Sequence, residues 1–168
     1  MGTRLEPKLL YRRLDGLFGA FDPSRPQRAI LESFLDDAFG VLRDDLRLKA
    51  GALLGERRDG FELVRRIGDG VGAEPDIMDP SSPTLALAFR HGVYIWADGE
   101  DARAPHHFGL LPPGPAAALC VGRRPDRHVF FFALDEGWAR EELDFALNTV
   151  RAALGTRLSV HDQPNLGG

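Results

Sequence analysis

The feature that most constrains the fold of this chain is a pair of short apolar segments in its second half. Residues 116–121 read AAALCV, and residues 129–134 read VFFFAL. Neither segment alternates between apolar and polar residues, and such a strand is typically covered on both faces of its sheet. Because the turn-forming residues 123–126 (RRPD) separate the two segments, we predict an antiparallel strand pair.

Helical periodicity is clearest towards the two ends of the chain. An apolar stripe over about residues 6–20 predicts a first helix, and a wider stripe that follows Pro26 predicts a second. A last helix is predicted from about Trp138 to Gly155. Residues 159–168 (SVHDQPNLGG) are predicted to be a flexible tail.

The segment between these helices begins with a hairpin signature. Asp59 and Gly60 lie between two apolar runs, which predicts a β-hairpin because glycine readily adopts the backbone of a tight turn. Residues 68–80 are rich in Gly, Pro and Asp, and we predict a surface loop there. Residues 98–113 are predicted to form a second, longer loop before the apolar strand pair.

A short helix is predicted between these two loops. Ser82 is its predicted N-cap, Pro83 its first helical residue and Gly92 its C-terminal cap. The β-branched and aromatic residues 93–96 (VYIW) then predict a strand. The complete order of elements predicts an α+β domain, with one central antiparallel sheet and the terminal helices on one of its faces.

Charge balance and cysteine content exclude several classes of protein. The formal net charge is −4 with both signs interspersed, which argues against a nucleic-acid or membrane surface, so we expect neither partner. The single cysteine, Cys120, excludes a secreted disulfide framework and a multi-cysteine zinc site. The sequence has no segment resembling a signal peptide and no apolar run of about 18 residues, so we expect a cytoplasmic protein.

Three local patterns, taken in order, resemble the GAF domain family. Residues 85–98 (LALAFRHGVYIWAD) are similar to its helix, glycine, apolar strand and acidic residue that opens the ligand loop. Residues 117–122 and 129–134 are similar to its tight strand pair, and residues 135–143 are similar to the approach to its closing helix. The resemblance covers about residues 20–158. It implies a GAF-like fold in which the short helix and long loop lie opposite the terminal helices.

The resemblance implies a non-catalytic sensory or regulatory domain, acting in bacterial signal transduction or transcription regulation. Residues 1–22 are expected to form an N-terminal helix or linker that dimerises, residues 23–158 the GAF-like domain, and residues 159–168 the flexible tail. We expect a homodimer through the terminal helices, because the apolar stripes at 6–20 and 138–155 exceed what one sheet face covers. The other expected partners are a small-molecule ligand, a signalling partner, and an output domain or regulator.

The family's pocket lies between the sheet and the loop elements, which implies a group of candidate ligand-binding residues. They are Phe89, Tyr94, Trp96, Asp98, His106, His107, Phe108 and Cys120. No cofactor is assigned. Residues 98–113 are expected to be either a lid over a ligand or a solvated loop with no partner, because long loops are either functional or mobile.

Catalysis at Cys120 is not expected, and no catalytic residue is predicted. The thiol lies in an apolar strand, where cysteines are usually inert packing. The enzymatic branch of the family, free methionine sulfoxide reductase, relies on several cysteines to form and resolve a disulfide, and one cysteine cannot complete that cycle. Bilin attachment, as in phytochrome-like GAF domains, needs a cysteine in a loop.

A metal site is not predicted either. His106 and His107 are adjacent in an extended segment, so their side chains point in opposite directions. The strand at Cys120 and the acidic Asp135 resemble part of the iron site of nitric-oxide-sensing GAF domains. The histidine expected two residues before the cysteine is Ala118 here, which leaves too few ligands.

Two other functions stay open beside the sensory one. The first is a ligandless dimerisation or scaffold module whose pocket is filled by Phe and Trp side chains. The second, less favoured, is an enzyme or a metal or nitric-oxide sensor. Cyclic-nucleotide binding is not expected, because those GAF domains carry an Asn-Lys pair, and here no Asn precedes residue 148 and no Lys follows residue 49.

Overall fold

The apolar runs and turns of the chain produce six strands and three helices with described bounds in a computed structural model of the protein. The described residues are 26–68, 77–79, 81–97, 111–112, 114–135 and 140–162, with the single positions 8, 12, 13, 15, 16, 103 and 105. The elements are α1 (Gln27–Leu46), β1 (Leu48–Arg57), β2 (Gly60–Gly68), β3 (Ile77–Met78), α2 (Pro83–His91), β4 (Val93–Trp96), β5 (Ala116–Val121), β6 (His128–Leu134) and α3 (Arg140–Asp162). This architecture confirms the predicted α+β class.

All six strands join one antiparallel sheet in the order β3-β2-β1-β6-β5-β4. The two apolar segments from which the prediction began are β5 and β6, and every residue of both strands is buried. Pairing of β1 with β6 places the first and last long strands side by side at the centre of the sheet. The antiparallel pair predicted from the turn at 123–126 is therefore confirmed.

The sheet separates two hydrophobic layers. On one face, which we call the helix face, α1 and α3 pack against large side chains of the central strands. Phe34 of α1 meets Phe130 of β6 edge to face, with ring centroids 5.6 Å apart. On the other face, which we call the α2 face, the short helix α2 packs through Leu85 and Ala88. The predicted placement of the terminal helices on one face and the short helix on the other is confirmed.

The hairpin predicted at Asp59 and Gly60 is present, because Arg57 pairs with Gly60 across a two-residue turn. The prediction of a loop over residues 68–80 is wrong at 77–78, where β3 pairs with Phe61 and Glu62 of β2. A two-residue strand is too short to show the alternation by which strands are recognised in a sequence. Residues 69–76 lie outside the described residues.

The predicted end of the last helix at Gly155 is wrong, because α3 continues to Asp162. A glycine inside a helix costs only about 1 kcal/mol relative to alanine, and burial of the preceding Val150 and Leu154 anchors this helix on the sheet. The helical residues 159–162 were predicted as tail, and residues 163–168 of that tail lie outside the described residues. Among the described residues, no helix is both long and apolar enough to cross a lipid bilayer.

The first helix predicted, over residues 6–20, lies largely outside the described residues, although the backbone is helical at the positions described within it. The caps predicted for α2 are at Ser82 and Gly92, as expected. Gly92 has a φ of 76°, and a Cβ there would lie 2.6 Å from Cζ of Arg151 on α3. Glycine is therefore favoured at this cap for its backbone conformation, and a larger residue would also displace the Arg151 side chain.

Candidate functional site on the α2 face

The α2 face of the sheet is built largely from small side chains. In one row across β1, β6 and β5, Ala50 pairs with Ala133, and Ala133 pairs with Ala116. In the next row, Ala52 and Ala118 flank Phe131. We call these five alanines the alanine floor. All five are buried, so other side chains cover them.

Trp96 and Tyr94 of β4 stand at the edge of the alanine floor. Their rings are 4.8 Å apart, and the Trp96 ring lies 6.2 Å from the ring of Phe131 on β6. Strand β5 lies between β4 and β6. The indole must therefore lean across β5, which is possible because Ala116 and Ala118 occupy the α2 face there.

The indole N–H of Trp96 is a buried donor that meets no acceptor among the described residues. Trp96 is 2% exposed, and its Nε1 has no hydrogen-bond partner among the described residues. A buried polar group left without a partner costs about 1–3 kcal/mol, and tryptophan usually has one. The N–H lies beside an apolar floor, where no other described residue offers an acceptor.

Cys120 lies in the third row of the same face, beside Val129 of β6. Its backbone N–H donates to the carbonyl of Gly92 at 2.8 Å, and its carbonyl accepts from Nε of Arg151 at 2.9 Å. Burial raises the pKa of the Cys120 thiol to about 12, despite the opposing effect of Arg151 and Arg127. The thiol is therefore protonated at neutral pH and is a poor nucleophile.

An ion pair between Arg127 and Glu56 lies on the α2 face, at the end of β1 and next to the start of β6. Glu56 Oε1 accepts from Nε of Arg127 at 3.0 Å and from its backbone N–H at 3.2 Å, and Oε2 accepts from Nη2 at 2.7 Å. The hydrogen bonds from Arg127 hold the pKa of Glu56 below its ordinary value, against the opposing effect of burial. Both side chains are largely buried, at 18% and 13% exposed.

The guanidinium of Arg127 is covered by two aromatic rings. Its Cζ lies 4.4 Å from the ring centroid of Phe89 on α2 and 5.5 Å from that of Phe61 on β2. The two rings are 5.2 Å apart. Sequence reasoning missed this cluster, because Glu56 and Arg127 are 71 residues apart and no local spacing connects them.

The described parts of the 98–113 loop contact the same face. Thr84 of α2 is fully buried, and its hydroxyl donates to the carbonyl of Arg103 at 2.6 Å. Leu111, near the end of the loop, is 1% exposed and belongs to the same hydrophobic cluster as Trp96. The loop is therefore tied to the α2 face at a point within it and at its end.

The structure places Phe89, Tyr94, Trp96 and Cys120 on one face of the sheet. The other predicted ligand-binding residues, Asp98, His106, His107 and Phe108, lie outside the described residues. Cys120 faces α2, whereas Asp135 is exposed after the end of β6. Within the described part of the chain, no group of three or more His, Cys, Asp or Glu side chains is arranged to hold a metal ion.

Comparison with solved structures identifies the fold. The chain resembles the GAF domain of a phosphoenolpyruvate-protein phosphotransferase from Coxiella burnetii, with a TM-score of 0.60, 12% identity, and coverage of 91% of this chain and 92% of the other. It also resembles a free methionine-R-sulfoxide reductase from Neisseria meningitidis in complex with its substrate, with a TM-score of 0.65, 12% identity, and coverage of 96% and 98%. A third similar structure is the VqsR LBD domain from Pseudomonas aeruginosa, with a TM-score of 0.55, 14% identity, and coverage of 92% and 98%.

These similarities establish a GAF-like fold, as the local patterns implied. No protein-family model matches the sequence. No curated protein matches it either. The fold is shared by proteins described as GAF domains and by an enzyme, so the function must be argued from the site itself.

Proposed function

We propose that this GAF-like chain is a cytoplasmic, non-catalytic regulatory domain that binds a small molecule on the α2 face and acts in bacterial signal transduction or transcription regulation. The observation that supports this most directly is the buried indole N–H of Trp96 beside the alanine floor, which has no partner in the part of the chain that the structure describes. A ligand with a hydrogen-bond acceptor would complete that donor, and its apolar part would lie among alanines and aromatic rings. A signalling partner that inserts such a group would use the same chemistry.

The proposed binding residues are Phe89, Tyr94, Trp96 and Cys120 on the α2 face. Asp98, His106, His107 and Phe108 are proposed to join them from the loop. Two similar structures support the choice of a small molecule: the Neisseria meningitidis reductase contains its substrate, and the Pseudomonas aeruginosa protein is an LBD domain.

The absence of turnover is proposed from the state of the thiol. Cys120 is the only cysteine of the chain, and its pKa of about 12 keeps it protonated. An assay with free methionine-R-sulfoxide, thioredoxin and its reductant tests this directly. We expect the same background rate for the wild type and for Cys120→Ala. Turnover that disappears in Cys120→Ala would overturn the non-catalytic assignment.

The binding proposal is tested by a metabolite screen followed by calorimetric titration of each hit. Trp96→Phe keeps an aromatic ring but removes the N–H, and we expect it to weaken binding about tenfold, the effect of one lost hydrogen bond to a buried donor. Arg58→Ala is the control, because Arg58 is exposed in the turn between β1 and β2 and its loss should leave affinity unchanged. Equal affinity of wild type and Trp96→Phe for every hit would contradict the proposed site.

A ligandless dimerisation or scaffold module is the second candidate function. The observation that favours it is the indole of Trp96, which itself covers part of the alanine floor. The proposed homodimer would form through the helix at 6–20 and α3, where Phe145 is 44% exposed. Sedimentation of the wild type and of Phe145→Glu tests the interface: a dimer that Phe145→Glu converts to a monomer supports it, and a monomeric wild type contradicts it.

A further inference from the structure

Two consecutive residues at the start of β6 contact helices on opposite faces of the sheet. Arg127 packs under Phe89 of α2, and His128 lies beside Gln27 in the first turn of α1. We propose that this point of the sheet couples the position of α2 to that of the α1 N-terminus. Its use in signalling rests on the proposed function, because α2 covers the proposed site, but the coupling itself does not require a ligand.

On the α2 face, Arg127 contacts both Glu56 of β1 and Phe89 of α2. Its side chain makes two hydrogen bonds to Glu56, and its backbone carbonyl accepts from the Glu56 N–H at 2.8 Å. Phe89 covers the guanidinium at 4.4 Å, an arrangement in which the ring stabilises the cation. A shift of α2 that removes Phe89 therefore exposes the ion pair or displaces Arg127 with it.

On the helix face, His128 occupies the adjacent position, since successive residues of a strand point to opposite faces. Its Nδ1 lies 2.9 Å from the carbonyl of Asp126 and 3.3 Å from Nε2 of Gln27. Gln27 Nε2 donates to that same carbonyl at 3.0 Å. The carbonyl before Arg127 is thus a shared acceptor for the strand and for the first residue of α1.

The N-terminus of α1 depends on these contacts because it lacks a cap of its own. Pro26 occupies the N-cap position without a side-chain hydrogen bond, and the first turn contains no acidic residue. Such a helix start has free N–H groups and no favourable charge to stabilise them. The contacts of Gln27 with Asp126 and His128 hold the start of α1, together with the ion pair of Arg28 with Glu62 and the burial of Ile30.

Displacement of Arg127 moves the Asp126 carbonyl, because the two belong to consecutive residues. Gln27 then loses its acceptor, and the first turn of α1 frays. Fraying of the α1 first turn should likewise loosen α2, because a coupling free energy between two positions is reciprocal. A ligand that shifts α2 would in this way alter the first turn of α1, which residues 1–25 precede in the sequence.

Hydrogen–deuterium exchange of the full chain, without any ligand, tests the coupling. Phe89→Leu keeps an apolar side chain on α2 but removes the ring from Arg127, and we expect about fivefold faster exchange in peptides covering residues 27–36. Gln27→Ala tests the reverse direction, with faster exchange expected over residues 83–91. Peptides from α3 should keep their wild-type rates in both variants.

Two control variants separate coupling from general loosening. Leu87→Ala removes packing of α2 against the same core but leaves Phe89 on Arg127, so only residues 83–91 should exchange faster. Arg123→Gln removes a charge from the exposed part of the same turn and should change neither helix. Unchanged exchange over 27–36 in Phe89→Leu, or over 83–91 in Gln27→Ala, overturns the proposal. Acceleration of all three helices in either variant overturns it too.

This experiment fails or succeeds independently of the proposed function. A chain that binds no metabolite can still show reciprocal exchange between α1 and α2, which would leave the coupling in place. A chain that binds a ligand at Trp96 without that exchange pattern would keep the proposed site and lose the coupling.

Discussion

The two faces of the central sheet are built from the same strands and differ in the size and chemistry of their side chains. On the helix face, Leu53, Leu119 and Phe130 interlock with large apolar residues of α1 and α3. On the α2 face, five alanines form the floor, and a buried indole N–H, a thiol and an ion pair lie around it. The helix face is organised for dense packing, whereas the α2 face combines small side chains with buried polar groups.

The contrast is sharpest within β5, where three consecutive alanines occur. Ala117 points towards the helices and belongs to the cluster of large residues, whereas Ala116 and Ala118 point towards α2. Residue type is therefore identical, and only the surroundings differ. Substitutions on the two faces can therefore be compared directly for their effect on the free energy of unfolding.

The largest effect is expected on the helix face, at Phe130. The side chain is fully buried, and its ring lies 5.6 Å from Phe34 and 6.1 Å from Phe132. Phe130→Ala should lower the free energy of unfolding by about 3–5 kcal/mol, because it leaves a cavity among large neighbours. Urea denaturation measures the loss. Arg58→Ala, at an exposed position in the turn between β1 and β2, should change stability by less than about 0.5 kcal/mol, and similar losses in both variants would contradict the distinction.

A matched pair in β5 compares the two faces directly. Ala117→Val adds two methyl groups to a fully packed layer and should cost about 1–3 kcal/mol. Ala118→Val adds the same atoms to the alanine floor, and the proposed ligand site there predicts a loss below about 1 kcal/mol. Thermal and urea unfolding of both variants measure the difference. Equal losses would mean that the α2 face is packed as densely as the helix face.

Cys120 tests whether the thiol of the α2 face has any role beyond packing. Cys120→Ser places a hydroxyl in an apolar environment and should cost about 1–3 kcal/mol without abolishing ligand binding. Labelling of the native thiol at neutral pH should be slow, because Cys120 is 5% exposed and its pKa is about 12. Fast labelling of the folded protein, compared with the denatured chain, would show that the thiol is accessible.

The sequence predicted the elements on each face better than the contacts between residues that are distant in the chain. Apolar periodicity identified α1, β5 and β6, and the caps at Ser82 and Gly92 identified α2, because these features are local. The strand alternation that places Tyr94, Trp96 and Cys120 on one face follows from the same local rule. The pairing of Glu56 with Arg127 and the contact of Gln27 with His128 depend on the β1–β6 register and on tertiary packing, which leave no trace in local spacing.

The smallest expected effect is a pH dependence of stability at His128, the buried polar residue at the end of the helix face. The imidazole is 4% exposed, its Nε2 has no hydrogen-bond partner among the described residues, and Arg28 lies close to the same position. Burial, reinforced by the charge of Arg28, lowers the pKa of His128 below its ordinary value of 6.5, although Asp126 and Glu56 oppose the shift. Below about pH 6.5 the unfolded chain therefore binds a proton more readily than the folded one. The free energy of unfolding falls as the pH is lowered, until the pH passes below the folded pKa.

His128→Gln keeps a buried polar group that cannot titrate, so its free energy of unfolding should lose this slope between pH 6.5 and pH 5. Urea denaturation at half-unit pH steps measures both curves, with His91→Gln as the control at an exposed histidine on α2. Parallel curves for wild type and His128→Gln would show that the imidazole is solvated, and the helix face would then be open to water at its end.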